Sequence, residues 1–165
     1  MTVTRTYLSM RAPSELRARR LDDPSLSIHE VDRCHPELWR ALYTGVGGPY
    51  RWTDRLGWTD DEIRAYLSDP ATSLVVLTER GEVAGYYELR TSPEGPVEIA
   101  YFGLMPGRLG RGLGAHLLTH ATEEAWRRGA TRVWLHTCSL DHPAALTNYL
   151  QRGFSIDRVE TLPPL

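Results

Sequence analysis

Apolar side chains in this chain follow two rhythms, one of period two and one of period near four, and the switches between them predict its elements. Thr4–Met10 and residues 25–31 alternate as strands do, with a polar stretch, 11–23, between them. Leu38, Leu42 and Val46 then repeat every four residues. Pro36 suits the first position of that helix, and Gly47-Gly48-Pro49 stops it. Thr59-Asp60-Asp61-Glu62 reads as a capping box ahead of a short helix through about Leu67. Residues 73–79 and Glu82–Thr91 flank Arg80-Gly81, a hairpin signal, and Pro96–Leu104 forms the next strand. Leu113, Leu117, Ala121 and Ala125 recur every four residues, widened by Leu118 and Trp126, and predict a long helix over 112–128. Arg127 and Arg128 complement its C-terminal dipole and Gly129 ends it. A strand over 131–138 follows. Asp141 is expected to cap a helix through Arg152, with Pro143 in its first turn and Gly153 at its end, before a last strand over 154–161. No internal repeat or low-complexity segment interrupts this order.

Between the strand 96–104 and the long helix stands Arg108-Leu109-Gly110-Arg111-Gly112-Leu113-Gly114-Ala115. Glycines here let the main chain approach a ligand closely and take positive φ. The helix start presents unpaired N–H groups and a partial positive charge, which together make a cradle for phosphate or diphosphate. Arg108 and Arg111 add full charges beside it. The plain alternative is a tight turn whose glycines serve only backbone geometry. A nucleotide P-loop requires a lysine that this spacing lacks, and a dinucleotide loop requires G-x-G-x-x-G after the first strand, whereas here the order is G-x-x-G-x-G-x-G, past mid-chain.

The flanks make the pattern specific. The segment from Glu98 to Gly153 resembles the acyl-CoA-binding half of the GCN5-related N-acetyltransferases, the GNAT superfamily. Its [QR]-x-x-G-x-[GA] pattern falls on Leu109 to Gly114, and its alanine, tyrosine and Gly-Phe pattern on Ala145, Tyr149 and Gly153-Phe154. Leu109 stands where glutamine or arginine is usual, and His142 where many members carry asparagine. The resemblance implies one α/β domain over residues 1–165, a mixed, splayed β-sheet flanked by helices on both faces, with the acyl-CoA-binding half at about 96–161. The element order β-α-α-β-β-β-α-β-α-β fits that fold. It also implies acetyl-CoA as co-substrate, no metal, and a cofactor site built from Phe102, Leu104, Leu109, Gly110, Arg111, Gly112, Leu113, Gly114, Ala115 and His142. The strand backbone at 102–104 would bond the pantetheine arm as an added strand would.

Moving an acetyl group from a thioester to an amine requires a base, since an ammonium of pKa about 10.4 is no nucleophile, and an acid for the departing thiolate. Glu98 is the candidate base. Its neighbourhood resembles the protein-lysine acetyltransferase branch, whose glutamate at this place takes the amine proton directly or through water. Alternation puts Glu98 on one face with Ala100, Phe102 and Leu104, where burial would raise its pKa. The alternative is a strand-end glutamate paired with an arginine. Tyr149, on a helical face with Ala145 and Gly153, is the candidate acid, against a packing tyrosine as the simpler role. Gly103 hints at a bulge that splays the strand, or at mere relief of crowding.

On the acceptor side, residues 47–58 are rich in glycine and aromatics, and in the family this region lines the acceptor pocket. Tyr50 and Trp52, with Trp58, would cage a cation or ring, and Asp54 would hold an ammonium; Trp58 better fits an anchor in the core. Tyr86 and Glu88 face opposite to Tyr87, so only one of these sets can meet the cleft. Asp60, Asp61 and Glu62 read as helix-start charges. His116 and His120 are one turn apart without a third ligand, so no metal site follows. His136 has no orientation from sequence.

Composition changes little. A chain of 165 residues with 41% hydrophobic and 24% charged content suits one globular domain. A net charge of −2 offers no pull toward nucleic acid or anionic membrane. Two cysteines, Cys34 and Cys138, make no disulfide framework. With no signal-like or membrane-spanning run, a cytoplasmic location is expected. The acceptor is a small-molecule or protein amine, and many family members pair as homodimers. Two rivals remain: a non-catalytic acyl-CoA sensor of the same fold, and a nucleotide-binding enzyme.

Overall fold

The computed structural model describes residues 2–163. Among the described residues, seven strands form one mixed sheet with four α-helices over its two faces, as expected. The strands are β1 (Thr4–Met10), β2 (Leu26–Glu30), β3 (Thr72–Glu79), β4 (Glu82–Thr91), β5 (Pro96–Leu104), β6 (Arg132–Cys138) and β7 (Ser155–Thr161). The helices are α1 (Pro36–Gly47), α2 (Asp60–Ser68), α3 (Leu113–Arg127) and α4 (Ala144–Gln151). Both strands read ahead of the first helix, Thr4–Met10 and the one within 25–31, are present, so the order is the expected one with one strand more than its short form. The sheet runs β2-β3-β4-β5-β6-β1-β7, so β1 lies between β6 and β7 and pairs antiparallel with both.

Local chemistry explains most boundaries. Pro36 opens α1, and Thr59 and Glu62 satisfy each other's backbone donors at the start of α2. The β3–β4 turn puts both Arg80 and Gly81 at positive φ, the twist a two-residue hairpin favours. α1 and α2 pack on β3, β4 and β5 through Leu42, Val46, Leu74, Val76 and Tyr86. α3 covers the other face, where Leu117, Leu118 and Ala121 meet Leu8, Val75, Tyr87, Ile99, Val133 and Leu135.

Two expectations need correction. The bulge in β5 is at Ala100, not Gly103: Tyr101 pairs with Glu88 and Ile99 with Leu89, leaving Ala100 extra. Phe102 and Leu104 therefore join Ile99 in the α3-side core, while Tyr101 joins the α1/α2 side that Glu98 faces. One added residue reverses the alternation that placed Glu98 with Phe102 and Leu104. Gly103 serves a different need, since a Cβ there would collide with Val46 of α1. Asp141 does not cap α4, whose N-cap is Pro143 without a side-chain bond. Instead His142 Nδ1 accepts from the Ala144 N–H at 3.0 Å.

The polar stretch between β1 and β2 is a strap across the α3 face. Its Arg17 N–H donates to the Arg152 carbonyl, Arg19 N–H to Thr119 Oγ1 and Leu21 N–H to His116 Nδ1. Gly153, at φ +107, lets the strap pass, because a Cβ there would strike the Glu15 carbonyl. Its place after α4 thus answers to packing.

Candidate active site

β5 and β6 run parallel for only three pairs, Pro96 with Arg132 to Glu98 with Trp134, and then diverge. The gap between them opens into a groove of about 800 Å³. One wall is β5 at Phe102, Gly103 and Leu104; the other is α4 at Ala144, Ala145, Asn148 and Tyr149. Leu109, Gly110 and Gly114 close one end, and Val46, Tyr50, Trp52, Asp141 and His142 complete the lining.

At the glycine end, Gly110 and Gly112 have φ of 78° and 82°, which any side chain would strain. Gly112 is the N-cap of α3 and offers no side chain to its first turn. The N–H groups of 113–115 therefore lack intrahelical partners and remain for a ligand. Gly114 lies where a Cβ would touch Asn148 and Leu104, so its bareness keeps the groove open between α3 and α4. Leu113 itself is core, 1% exposed, and contributes only main chain.

Tyr149 is 7% exposed, with its ring edge-on to Phe102 at 6.1 Å. Burial pushes its phenol well above the usual range and the Asp141 carboxylate adds to the rise, so the proton stays on at neutral pH. Glu98 sits at the vertex where the strands part, beside Trp134. Burial raises its pKa, Arg90 and Arg55 pull it back, and Glu88 adds to the rise. Glu98 does not line the groove: along β5 it stands about 13 Å from Phe102 at ~3.3 Å per residue.

This splayed sheet and glycine-opened α3 coincide with a known family. The model of the acetyltransferase (GNAT) family matches residues 31–154. The chain belongs to the GNAT acetyltransferase family. An uncharacterised N-acetyltransferase of Mycobacterium bovis is 31% identical over 96 residues, which are 58% of this chain and 61% of that protein. The chain thus matches about three fifths of that relative's length. A GCN5-related N-acetyltransferase from Kribbella flavida has the same fold, with a TM-score of 0.68 at 20% identity over 94% of this chain and 55% of that one. An aminoglycoside acetyltransferase from an uncultured soil metagenomic sample, in complex with sisomicin, shares it at a TM-score of 0.65 and 13% identity over 78% of this chain and 88% of that one.

Within this GNAT site, the structure brings together Tyr50, Trp52, Phe102, Leu104, Leu109, Gly110, Gly114, His142 and Tyr149. Arg111 and Arg108 turn away from the groove. Both guanidiniums bind Glu79, and Arg108 reaches Glu82 at 2.7 Å, so they tether the glycine loop to the β3–β4 hairpin. Held this way, Glu79 titrates far below the usual carboxylate range, at about 2. Asp54 is exposed and Ala115 half-buried, both outside the lining.

Of the aromatics expected to cage the acceptor, Tyr50 and Trp52 line the groove, whereas Trp58 joins Trp39, Tyr66 and Tyr101 around the chain's own Arg55. Its guanidinium lies 3.8 Å from the ring centre of Tyr101, 4.5 Å from Tyr66, 4.9 Å from Trp58 and 5.3 Å from Trp39. It also donates to both oxygens of the fully buried Glu88, at 2.9 and 3.0 Å. Trp58 is thus an anchor, and of the β4 residues Tyr86 and Glu88 face this side while Tyr87 bonds His120 on the other. His116 and His120 each have a protein partner, and no group of metal ligands occurs among the described residues.

Four lining residues were missed from sequence: Val46, Asp141, Ala144 and Asn148. Asn148 follows Ala145 by three on one helical face, a signal that was present. Asp141 was concealed by its resemblance to a cap. Its carboxylate instead accepts from Trp52 Nε1 at 3.2 Å, Thr137 Oγ1 at 2.7 Å and the Cys138 N–H at 2.9 Å. It thereby ties the α1–α2 loop to the end of β6 across the mouth of the groove.

Proposed function

We propose that this protein transfers an acetyl group from acetyl-CoA to a primary amine by direct attack, with Tyr149 as general acid and Glu98 as general base. The observation that carries the reading is the groove between diverging β5 and β6, open to unpaired helix N–H groups at one end and to a buried, protonated phenol on its wall. The residues fit the co-substrate. The N–H groups of 113–115 and the bare glycines suit a diphosphate, and the apolar walls at Phe102, Leu104 and Ala145 suit the pantetheine arm. Bound there, acetyl-CoA supplies the activated acyl group.

Residues of the chain do the rest. The N–H groups of 113–115 hold the diphosphate, and the β5 edge beyond Glu98, which β6 leaves unpaired, bonds the arm's amides. Tyr149 delivers its proton to the departing sulfur. Glu98 takes the amine's proton through water, since the spacing along β5 exceeds direct reach. Its raised pKa brings it closer to the value a base needs near neutrality. Tyr50, Trp52 and Asp54 border the acceptor's approach. A thiol-release screen with acetyl-CoA across a broad panel of amines tests the reading. Amine-dependent release is expected. Tight coenzyme A binding without release for every amine would favour an acyl-CoA sensor and sink the enzyme.

A further inference from the structure

The face of the sheet that bears Glu98 is only half covered. α1 and α2 lie on β3, β4 and β5, while among the described residues β6, β1 and β7 carry no helix on that side. Beginning at Trp134, Glu98's neighbour across the β5–β6 ladder, the uncovered half is aromatic and then basic. The His136 ring lies 6.5 Å from Trp134 and 5.6 Å from Tyr7. The Arg158 guanidinium stacks 3.9 Å over Tyr7, and that of Arg132 lies 6.0 Å from Trp134. Tyr7, Arg11, Arg132, Trp134, Asp157 and Arg158 line an open depression on this face.

Charge on this surface does not balance. Asp157 is shared by Arg11 at 3.5 Å and Arg132 at 3.7 Å, and Glu160 by Arg5 at 3.5 Å and Arg158 at 3.3 Å. Two carboxylates thus serve four guanidiniums, at loose distances, leaving two positive charges in excess. Several guanidinium N–H donors stay free for another acceptor. Across the vertex the sign reverses, where Glu98 and Asp54 are bonded to no cation among the described residues. The cleft is dipolar, acidic where the amine must lose its proton and basic beyond Trp134.

We propose that the acceptor is an amine carrying an anionic group, carboxylate or phosphate, at roughly 10–14 Å from its nitrogen, two to three strand spacings of ~4.8 Å. The inference rests on the acetyl-transfer reading for the amine end alone. The body of such an acceptor lies on Trp134 and Tyr7, and its anion meets Arg132 and Arg158, replacing loose surface pairs with charge-assisted hydrogen bonds. A polycationic amine would set like charge against these guanidiniums.

The test uses three tripeptide amides with free N-termini, alanyl-tyrosyl-glutamate, -glutamine and -lysine. Calorimetry with the coenzyme A-loaded protein measures binding, and thiol release from acetyl-CoA measures turnover. The glutamate peptide is expected to bind about tenfold more tightly than the glutamine peptide, and the lysine peptide most weakly, with the spread shrinking as salt rises. The double variant Arg132→Gln, Arg158→Gln is expected to bring all three within about twofold. Equal affinities, preference for lysine, no binding by any peptide, or selectivity that survives the double variant would each overturn the proposal. Selective binding without thiol release would leave the basic face standing and remove acetyl transfer. Release with other amines, but no binding of these peptides, would do the reverse.

Discussion

The two sides of the β5–β6 cleft are built in opposite ways. The cofactor side is one continuous run, β5, glycine loop and α3, closed by α4 a single strand later. Each of its functional positions is set by neighbours in sequence: positive-φ glycines, an uncapped helix start, a helical face. The side proposed for the acceptor is assembled from the α1–α2 loop, β5, β6, β1 and β7, segments up to ~150 residues apart, and is held by contacts no local pattern announces. The α1–α2 loop is fixed by Arg55 in its aromatic cage and by Trp52 on Asp141. Backbone geometry therefore governs the first side, whereas buried side-chain pairs govern the second, and substitutions should separate them.

The largest effect is expected from Gly112→Val. Positive φ and a β-branched side chain at the α3 N-cap should lower coenzyme A affinity at least a hundredfold by calorimetry. Retained affinity would make the loop merely structural. Tyr149→Phe should lower kcat about a hundredfold with the KM for acetyl-CoA nearly unchanged. Unaltered turnover would remove the acid.

Glu98→Gln should cost about tenfold to a hundredfold at low pH, narrowing as pH rises and free amine accumulates. Wild-type activity should rise with pH through the elevated Glu98 value, because only the carboxylate accepts the proton. A profile matching wild type would count against Glu98.

On the acceptor side, Arg55→Met strands the Glu88 charge and should destabilise the fold by about 3–5 kcal/mol in urea unfolding, and adding Glu88→Leu should restore much of this. No loss would mean the cage is not what holds the loop. The smallest effect is a pH limb. Burial lowers the pKa of His116, His120 and His136 in the folded state, so folding favours their neutral forms. Stability present above the unfolded value of about 6.5 is therefore lost as pH falls through the folded values. His116→Ala, which removes the Leu21 acceptor, should flatten part of that slope at some cost in stability at pH 8.

By itself the sequence determined the elements, several to the residue, because capping boxes, prolines, glycines and apolar periodicity act within one or two turns. It also determined the glycine-opened start of α3 and the shared face of Ala145 and Tyr149 for the same reason. Tertiary structure alone decided the rest. The Ala100 bulge inverts the faces of β5, since strand parity depends on a partner's register. Glu79 draws Arg108 and Arg111 away from the groove, because a carboxylate 29 and 32 residues from them in sequence offers nearer compensation. Arg55 draws Trp58 into a cage with Trp39, Tyr66 and Tyr101, because a buried guanidinium gathers rings from distant segments. The insertion of β1 beside β6 sets Tyr7 against His136 and lays bare a basic surface, because strand order is fixed by long-range pairing rather than local pattern.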